Sequence, residues 1–188
     1  LQGTIDEMMA FDEEVSDEGV YALQCASTLI DNHSHKVVAI VGGRSQNTGI
    51  YTLNRAYQSY RQPGSTFKPL VVYGPALDEG YTAESMLPDI NVTKAKEMGL
   101  QAAELSGRQM SMEQAVWKSV NGCAWWLFCR LTPERGLSYV NQMEFAGIVP
   151  DDYYPASALG GLTYGVTTVE MANGYSTLAN HGNFHEAT

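Results

Sequence analysis

Two β-branched apolar runs, residues 20–30 (VYALQCASTLI) and 36–41 (KVVAIV), flank the polar stretch DNHSH. Such runs around a cluster of turn formers predict an antiparallel hairpin, with Gly42 and Gly43 ending its second strand. Residues 44–60 are polar and mixed and read as a connection. Gly64 then opens a helical run from Ser65 to about Glu79, closed by Gly80. Pro69 falls within the first turn or so of that run, where a missing N–H costs little because the early N–H groups lack partners anyway. Residues 82–107 carry no pattern that decides between helix and strand. Residues 112–131 (MEQAVWKSVNGCAWWLFCRL) predict two helical pieces broken near Asn121 and Gly122. A further helix is predicted over 132–145, with Pro133 at its start and Gly147 beyond its end. Residues 158–165 (ALGGLTYG) read as a glycine-rich loop, and 167–180 as an amphipathic helix ended by His181 and Gly182. A hairpin followed by several helices is an α+β pattern. A lone hairpin makes a poor sheet, so the strands that complete it are expected outside this stretch.

Composition narrows the picture. With 188 residues, 44% apolar and 17% charged, the chain can bury a full core. Its net charge of −10 speaks against nucleic acid as a partner, since phosphates require a basic surface. Residues 5–19 hold seven carboxylates and no base. They read as a solvated, loosely structured lead-in rather than an acidic docking segment. The domain division is therefore residues 1–19 as lead-in and 20–188 as one domain, since no repeat or linker splits the rest. Cys25, Cys123 and Cys129 are odd in number and form no Cys-x-x-Cys, so they read as thiols, the latter two buried in an apolar helix. His33, His35, His181 and His185 lack acidic or cysteine companions at metal-site spacing, and no metal site is expected. Trp117, Trp125, Trp126 and Phe128 are expected in helix core. No apolar run approaches the ~20 residues that span a bilayer, and the start carries no basic-then-apolar signal pattern.

The candidate chemistry lies in residues 61–70, RQPGSTFKPL. Residues three apart on a helix are neighbours, so Ser65 and Lys68 face the same side one turn apart. A serine hydroxyl is a weak nucleophile until a base takes its proton. A lysine serves as that base only when neutral, which burial promotes, and the apolar segment after Lys68 (PLVVYGPAL) makes burial of its stem plausible. The same residues equally suit a capping Ser65 or Thr66 followed by an exposed lysine. Spacing alone leaves both open.

RQPGSTFKP, preceded by LNRAYQSY, resembles the active-site serine motif of penicillin-binding proteins, and more narrowly the transpeptidase domain of their class A, bifunctional members. ALQCASTLIDNHSHKVVAIVGG is similar to the hairpin before that family's active-site helix. EQAVWKSVN is similar to the helix leading into its Ser-x-Asn motif, and ALGGLTYGVTTVEMANGYSTLANHGNF to its later Leu-Gly-Gly, Gly-Val-Thr and Ala-Asn-x-Gly signature. The resemblance runs from about Ala22 to Phe184 and is weak between Asp89 and Gly107. It implies an α+β fold of the penicillin-binding protein/serine β-lactamase type, an antiparallel sheet packed with helices, of which residues 20–188 are a part.

Ser-x-Asn occurs twice. Ser119 and Asn121 follow the nucleophile and sit at a break between helical pieces, as the family arrangement implies, whereas Ser45 and Asn47 read as loop residues. The resemblance makes Ser65 the nucleophile, Lys68 its base, Ser119 a proton carrier and Asn121 a substrate-binding amide. The family's third motif, Lys-Thr-Gly, is absent: Lys36, Lys68, Lys94, Lys96 and Lys118 all fail the pattern, and truncation is the expected reason. With one oxyanion-hole N–H missing along with it, the 188-residue piece is expected to react weakly on its own. The implied activity is D,D-transpeptidation of peptidoglycan stem peptides through a serine acyl-enzyme, blocked by β-lactams, without metal or organic cofactor. It would act on the extracytoplasmic face of a bacterial membrane, in a parent with an anchor and a glycosyltransferase domain. The alternatives are a D,D-carboxypeptidase or β-lactamase-type hydrolase, and a non-catalytic penicillin sensor or pseudoenzyme.

Overall fold

In the computed structural model, which describes residues 1–17, 19–45 and 52–188, the acidic lead-in is exposed but not loose. It begins with helix α1 (Gln2–Met8). Gln2 donates to the Gly43 carbonyl at 3.1 Å, and Asp6 accepts from the Ser45 amide at 2.8 Å. Arg44, 5% exposed, donates to the Asp12 carbonyl and lies 3.7 Å over the Tyr21 ring. The expectation of a loosely structured segment is thus corrected: Glu7, Glu13, Glu14 and Asp17 face water, while the Gln2 amide, the Asp6 carboxylate and the Asp12 carbonyl tie the segment down.

The hairpin is present as β1 (Ser27–Asp31) and β2 (Lys36–Val41), antiparallel, in register from Ser27↔Val41 to Asp31↔Lys36 with a bulge at Leu29/Ile30. Asp31 builds the turn, its carboxylate accepting from the amides of His33 and Ser34 and from the Ser34 hydroxyl. The first strand starts later than residue 20 because the chain ahead of it pairs locally, through a Val15↔Tyr21 bridge and an Ala22 to Glu14 backbone bond. Ser45 lies in a bend, while Asn47 is outside the described residues. A short α2 (Arg55–Gln58), capped by Asn54, appears where only a connection was expected.

The chain clusters into two compact units, Leu1–Arg61 with Val166–Thr188, and Gln62–Gly165. In the second unit, the predicted helix from Ser65 to Glu79 is continuous but irregular. It runs as a 3₁₀ turn (Gly64–Phe67), a π segment (Pro69–Tyr73) and α3 (Gly74–Asp78). Pro75 explains the widening: it has no N–H for the Val71 carbonyl, and its ring would clash with that group in a regular α-helix. The ladder shifts by one, and Gly74 donates instead to Pro69, five residues back.

The undecided residues 82–107 hold β3 (Met86–Asp89), α4 (Val92–Met98) and a 3₁₀ stretch (Gly99–Glu104), followed by β4 (Arg108–Ser111). β3 and β4 pair antiparallel from Met86↔Ser111 to Asp89↔Arg108. Pro88 hides β3 in the sequence, since proline cannot donate to a ladder and is tolerated only where a sheet has an edge. This two-stranded sheet has two edges.

Next come α5 (Met112–Trp117), α6 (Asn121–Leu131) and α7 (Pro133–Gln142). α6 is buried on nearly every side. Trp125 and Cys129 join Ile90, Ala95 and Ala102 in one cluster, and Cys123 is also buried. The expected interruption near Asn121-Gly122 falls slightly earlier, at 118–120, so that Asn121 begins a helix. Gly122 permits this packing: a Cβ there would meet the Ile90 carbonyl oxygen at 2.3 Å and Asp89 Oδ1 at 2.2 Å. Trp125 and Phe128 are core as expected, and Trp126 is half-buried with its indole N–H on the Ala103 carbonyl. Trp117 is not core. It is 79% exposed, because Met112 and Ala115 take the buried face of the short α5.

Returning to the first unit, α8 (Thr168–Ala179) carries a capping box in which Thr167 and Glu170 satisfy each other's backbone N–H. It packs on β1 through a 3.0 Å Thr28–Thr168 hydroxyl pair.

In the second unit, the carbonyl that Pro75 leaves without its usual partner has a neighbour. A Cβ on Gly136 of α7 would come within 2.5 Å of the Val71 oxygen and 2.4 Å of Phe128 Cε2. Gly136→Ala is therefore expected to destabilise this unit by about 1–3 kcal/mol, measured as a lowered urea midpoint at unchanged m-value.

Candidate active site

The residues before Ser65 set its geometry. Pro63 and Gly64 turn the chain, Gly64 adopting φ +57°, a left-handed conformation that glycine takes without a Cβ penalty. The 3₁₀ turn then alternates its sides: Ser65 and Thr66 are exposed, Phe67 and Lys68 buried. Thr66, not Ser65, makes the local polar bond, its hydroxyl donating to the Pro63 carbonyl at 2.6 Å. No side chain caps the turn. Ser65 is thus not an N-cap, and among the described residues its hydroxyl makes no hydrogen bond.

Lys68 is 2% exposed. Its ammonium donates to the Ser119 carbonyl at 2.7 Å, the Asn121 Oδ1 at 2.7 Å and the Ser119 hydroxyl at 3.1 Å. All three acceptors are neutral; among the described residues no carboxylate pairs with it. Burial accordingly pulls the Lys68 pKa below the ordinary lysine value, with nearby Cys123 opposing the shift. The same burial pushes the Cys123 thiol up to about 11, so Cys123 stays a thiol in the physiological range.

Ser119 reaches the lysine because α5 and α6 do not join smoothly. Ser119 has φ +51°, a left-handed conformation that costs a non-glycine residue about 1–2 kcal/mol. That twist, held by the Ser119 to Val116 and Val120 to Ala115 backbone bonds, leaves the Ser119 carbonyl and hydroxyl both on the ammonium. Asn121 begins α6 and turns its amide oxygen inward; a group that only donates fixes the orientation of that amide.

Lys68, Ser119 and Asn121 are therefore brought together, and Ser65 stands one turn ahead of Lys68, exposed and uncommitted. A neutral Lys68 keeping its two short bonds would aim its lone pair at the Ser119 hydroxyl, the one acceptor of the three that can also donate. Proton exchange between a buried amine and a hydroxyl, beside a free serine, is the equipment of acyl transfer.

Two contacts that sequence reasoning did not single out hold the turn bearing Ser65. The Gln62 amide donates to the Leu162 carbonyl at 2.5 Å and accepts from the Leu162 N–H at 2.7 Å, mimicking a strand pair. Gly160 (φ +73°) lies against Gly64, so that a Cβ on Gly160 would sit 2.3 Å from the Gly64 oxygen and 2.5 Å from its nitrogen. Both positions fall in recognised motifs, Arg-Gln-Pro-Gly-Ser and Leu-Gly-Gly, but nothing in the spacing says that the two stretches touch.

The arrangement suits one class of chemistry, acyl transfer by a serine with a lysine partner. The chain belongs to the penicillin binding protein transpeptidase domain family, which matches residues 25–187. It is 33% identical to penicillin-binding protein 4 of Bacillus subtilis (strain 168) over 165 residues, 86% of this chain and 26% of that protein. It is 34% identical to penicillin-binding protein 1A of Neisseria flavescens over 169 residues, 85% of this chain and 20% of that protein. The chain thus spans about a quarter or less of these relatives. The fold is similar to that of PonA1 from Mycobacterium tuberculosis in complex with penicillin V, with TM-score 0.69 and 20% identity, covering 99% of this chain and 50% of that one. Penicillin binding protein 2X from Streptococcus thermophilus matches with TM-score 0.70 and 17% identity, covering 98% of this chain and 30% of the other. Among the described residues no helix is long and apolar enough to cross a membrane.

Gly160→Ala combines a left-handed φ with a backbone collision. It is expected to displace the turn bearing Ser65 and slow reaction of that serine with a fluorescent penicillin by about tenfold or more, in stopped-time gel assays of the full-length protein.

Proposed function

We propose that residues 20–188 are part of a D,D-transpeptidase that cross-links peptidoglycan stem peptides. The observation that carries this reading is the buried Lys68, bonded to neutral acceptors on Ser119 and Asn121, one turn from a Ser65 whose hydroxyl is unbonded among the described residues. Neutral Lys68 turns its lone pair from the Ser119 hydroxyl to that of Ser65 and takes the Ser65 proton as the oxygen attacks the penultimate D-Ala carbonyl. The Ser65 N–H, in the first turn where backbone donors lack helical partners, stabilises the developing oxyanion. Ser119 relays the proton to the departing D-Ala amine, and Asn121 orients the donor peptide. The acyl group on Ser65 then passes to an amine of a neighbouring stem, regenerating the serine. β-Lactams acylate the same oxygen as substrate mimics, in keeping with the names of the relatives. A second oxyanion donor belongs in family members to the Lys-Thr-Gly strand, which these 188 residues do not include. The reaction takes place on the extracytoplasmic face of the bacterial membrane, in a parent with its own anchor and glycosyltransferase domain.

In the full-length protein, fluorescent penicillin labelling is expected to vanish in Ser65→Ala; labelling that persists would falsify the choice of nucleophile. The competent form of Lys68 is the neutral amine, and burial lowers its pKa. The acylation rate is therefore expected to rise with pH through an apparent pKa below the usual ~10.4 of lysine and then to level off. Lys68→Arg, permanently charged, is expected to lose about 10²–10⁴-fold in rate together with that pH dependence. A variant that kept both would exclude Lys68 as the base.

A further inference from the structure

Asp152 is a buried carboxylate, 2% exposed, that the reaction above does not use. Its Oδ1 accepts from the Thr163 N–H at 2.6 Å and the Thr163 hydroxyl at 2.8 Å, and its Oδ2 accepts from the Val149 N–H at 3.0 Å. Its carbonyl accepts from the hydroxyl of Ser157, itself 1% exposed, at 2.5 Å. Burying a carboxylate is costly unless it is well bonded, and bonds to a carboxylate are shorter and stronger than neutral ones. One side chain therefore closes the loop from Val149 to Thr163 with more stiffness than a neutral group would provide.

The stiffened loop acts on the turn at residues 62–64. Thr163, held by Asp152, is the immediate neighbour of Leu162, whose N–H and carbonyl grip the Gln62 amide. Ser157, on the main-chain carbonyl of residue 152, lies in the 3₁₀ stretch Pro155–Leu159, which ends at Gly160 packed against Gly64. Gln62 and Gly64 are the third and first residues before Ser65. The left-handed Gly64 is intrinsically free to move, and persists in one conformation only when its surroundings over-determine it.

We propose that Asp152 is a positioning residue for the nucleophile: through Thr163, Leu162 and Gln62, its carboxylate holds the Gly64 turn so that the Ser65 hydroxyl stands at its attacking position. It touches neither substrate nor reacting atoms. This rests on the assignment of Ser65 as the acylated serine.

The test is a double-mutant cycle on the full-length protein, with acylation by a fluorescent penicillin resolved into the noncovalent dissociation constant and the first-order acylation rate, well below the melting temperature. Asp152→Asn and Gln62→Leu are each expected to lower the acylation rate about ten- to a hundredfold, leaving the dissociation constant within about threefold. Because both act through one chain of contacts, the double variant should be no slower than about threefold below the slower single variant. A purely structural role would lower the fraction of labelled protein without changing the rate of the folded fraction. An Asp152→Asn rate within twofold of wild type, or effects that multiply in the double variant, would overturn the proposal. Should Asp152→Asn fail to fold, Thr163→Val, which removes one bond and leaves the backbone one, is held to the same two criteria. Wild-type labelling that survives Ser65→Ala would instead overturn the nucleophile assignment, and the Asp152 proposal with it; labelling confined to Ser65 with an unchanged Asp152→Asn rate would overturn the Asp152 proposal alone.

Discussion

The arrangement at the site depends on an amine buried with no counter-ion among the described residues. An ammonium taken out of water needs either an opposite charge or a full set of acceptors, and Lys68 has the latter: two carbonyl-type oxygens and a hydroxyl. A carboxylate there would hold the proton on the lysine. Neutral oxygens satisfy the ammonium geometrically while leaving desolvation to favour the free base. That requirement accounts for several local oddities. The α5–α6 break and the left-handed Ser119 put a carbonyl and a hydroxyl on the amine, and Asn121 at the first position of α6 supplies the third oxygen.

The helix carrying Lys68 departs from regularity for a related reason. It starts as a tight 3₁₀ turn, which exposes Ser65 while sending Lys68 inward, and it widens into a π segment where Pro75 denies Val71 its partner. Glycines let neighbouring backbones close on both irregular places: Gly136 beside the π segment, Gly160 against Gly64. The chain therefore invests side-chain-free contacts at the points where its helix is least self-supporting. The buried Asp152 is the polar counterpart of those contacts, a carboxylate whose donors bind a loop of short 3₁₀ turns into a fixed shape.

Legibility from sequence varied with how local the cause was. The hairpin turn, the Thr167–Glu170 capping box, the proline opening α7 and the one-turn spacing of Ser65 and Lys68 each rest on neighbours in the chain, and each could be read there. β3 could not, because Pro88 argues against a strand and only the pairing with β4 overrides it. The lead-in could not either: composition called for a solvated segment, yet Asp6 and Gln2 find partners near residues 43–45. Trp117 looked like core from its company, but a helix of only Met112–Trp117 buries one side, and that side belongs to Met112 and Ala115.

By itself, the order of motifs along the chain determined the family and the α+β fold class, and the placing of serine, lysine and asparagine at short-range spacings that permit acyl-transfer chemistry. Tertiary structure decided the rest. Whether Ser65 is a cap or a free hydroxyl depends on Thr66 taking the local bond. Whether Lys68 is a solvated charge or a buried amine depends on residues more than fifty positions away, and the support of the Gly64 turn on residues about a hundred away. Desolvation and hydrogen-bond geometry are properties of what surrounds a group in space, and a spacing in sequence records only the neighbours that the chain itself supplies.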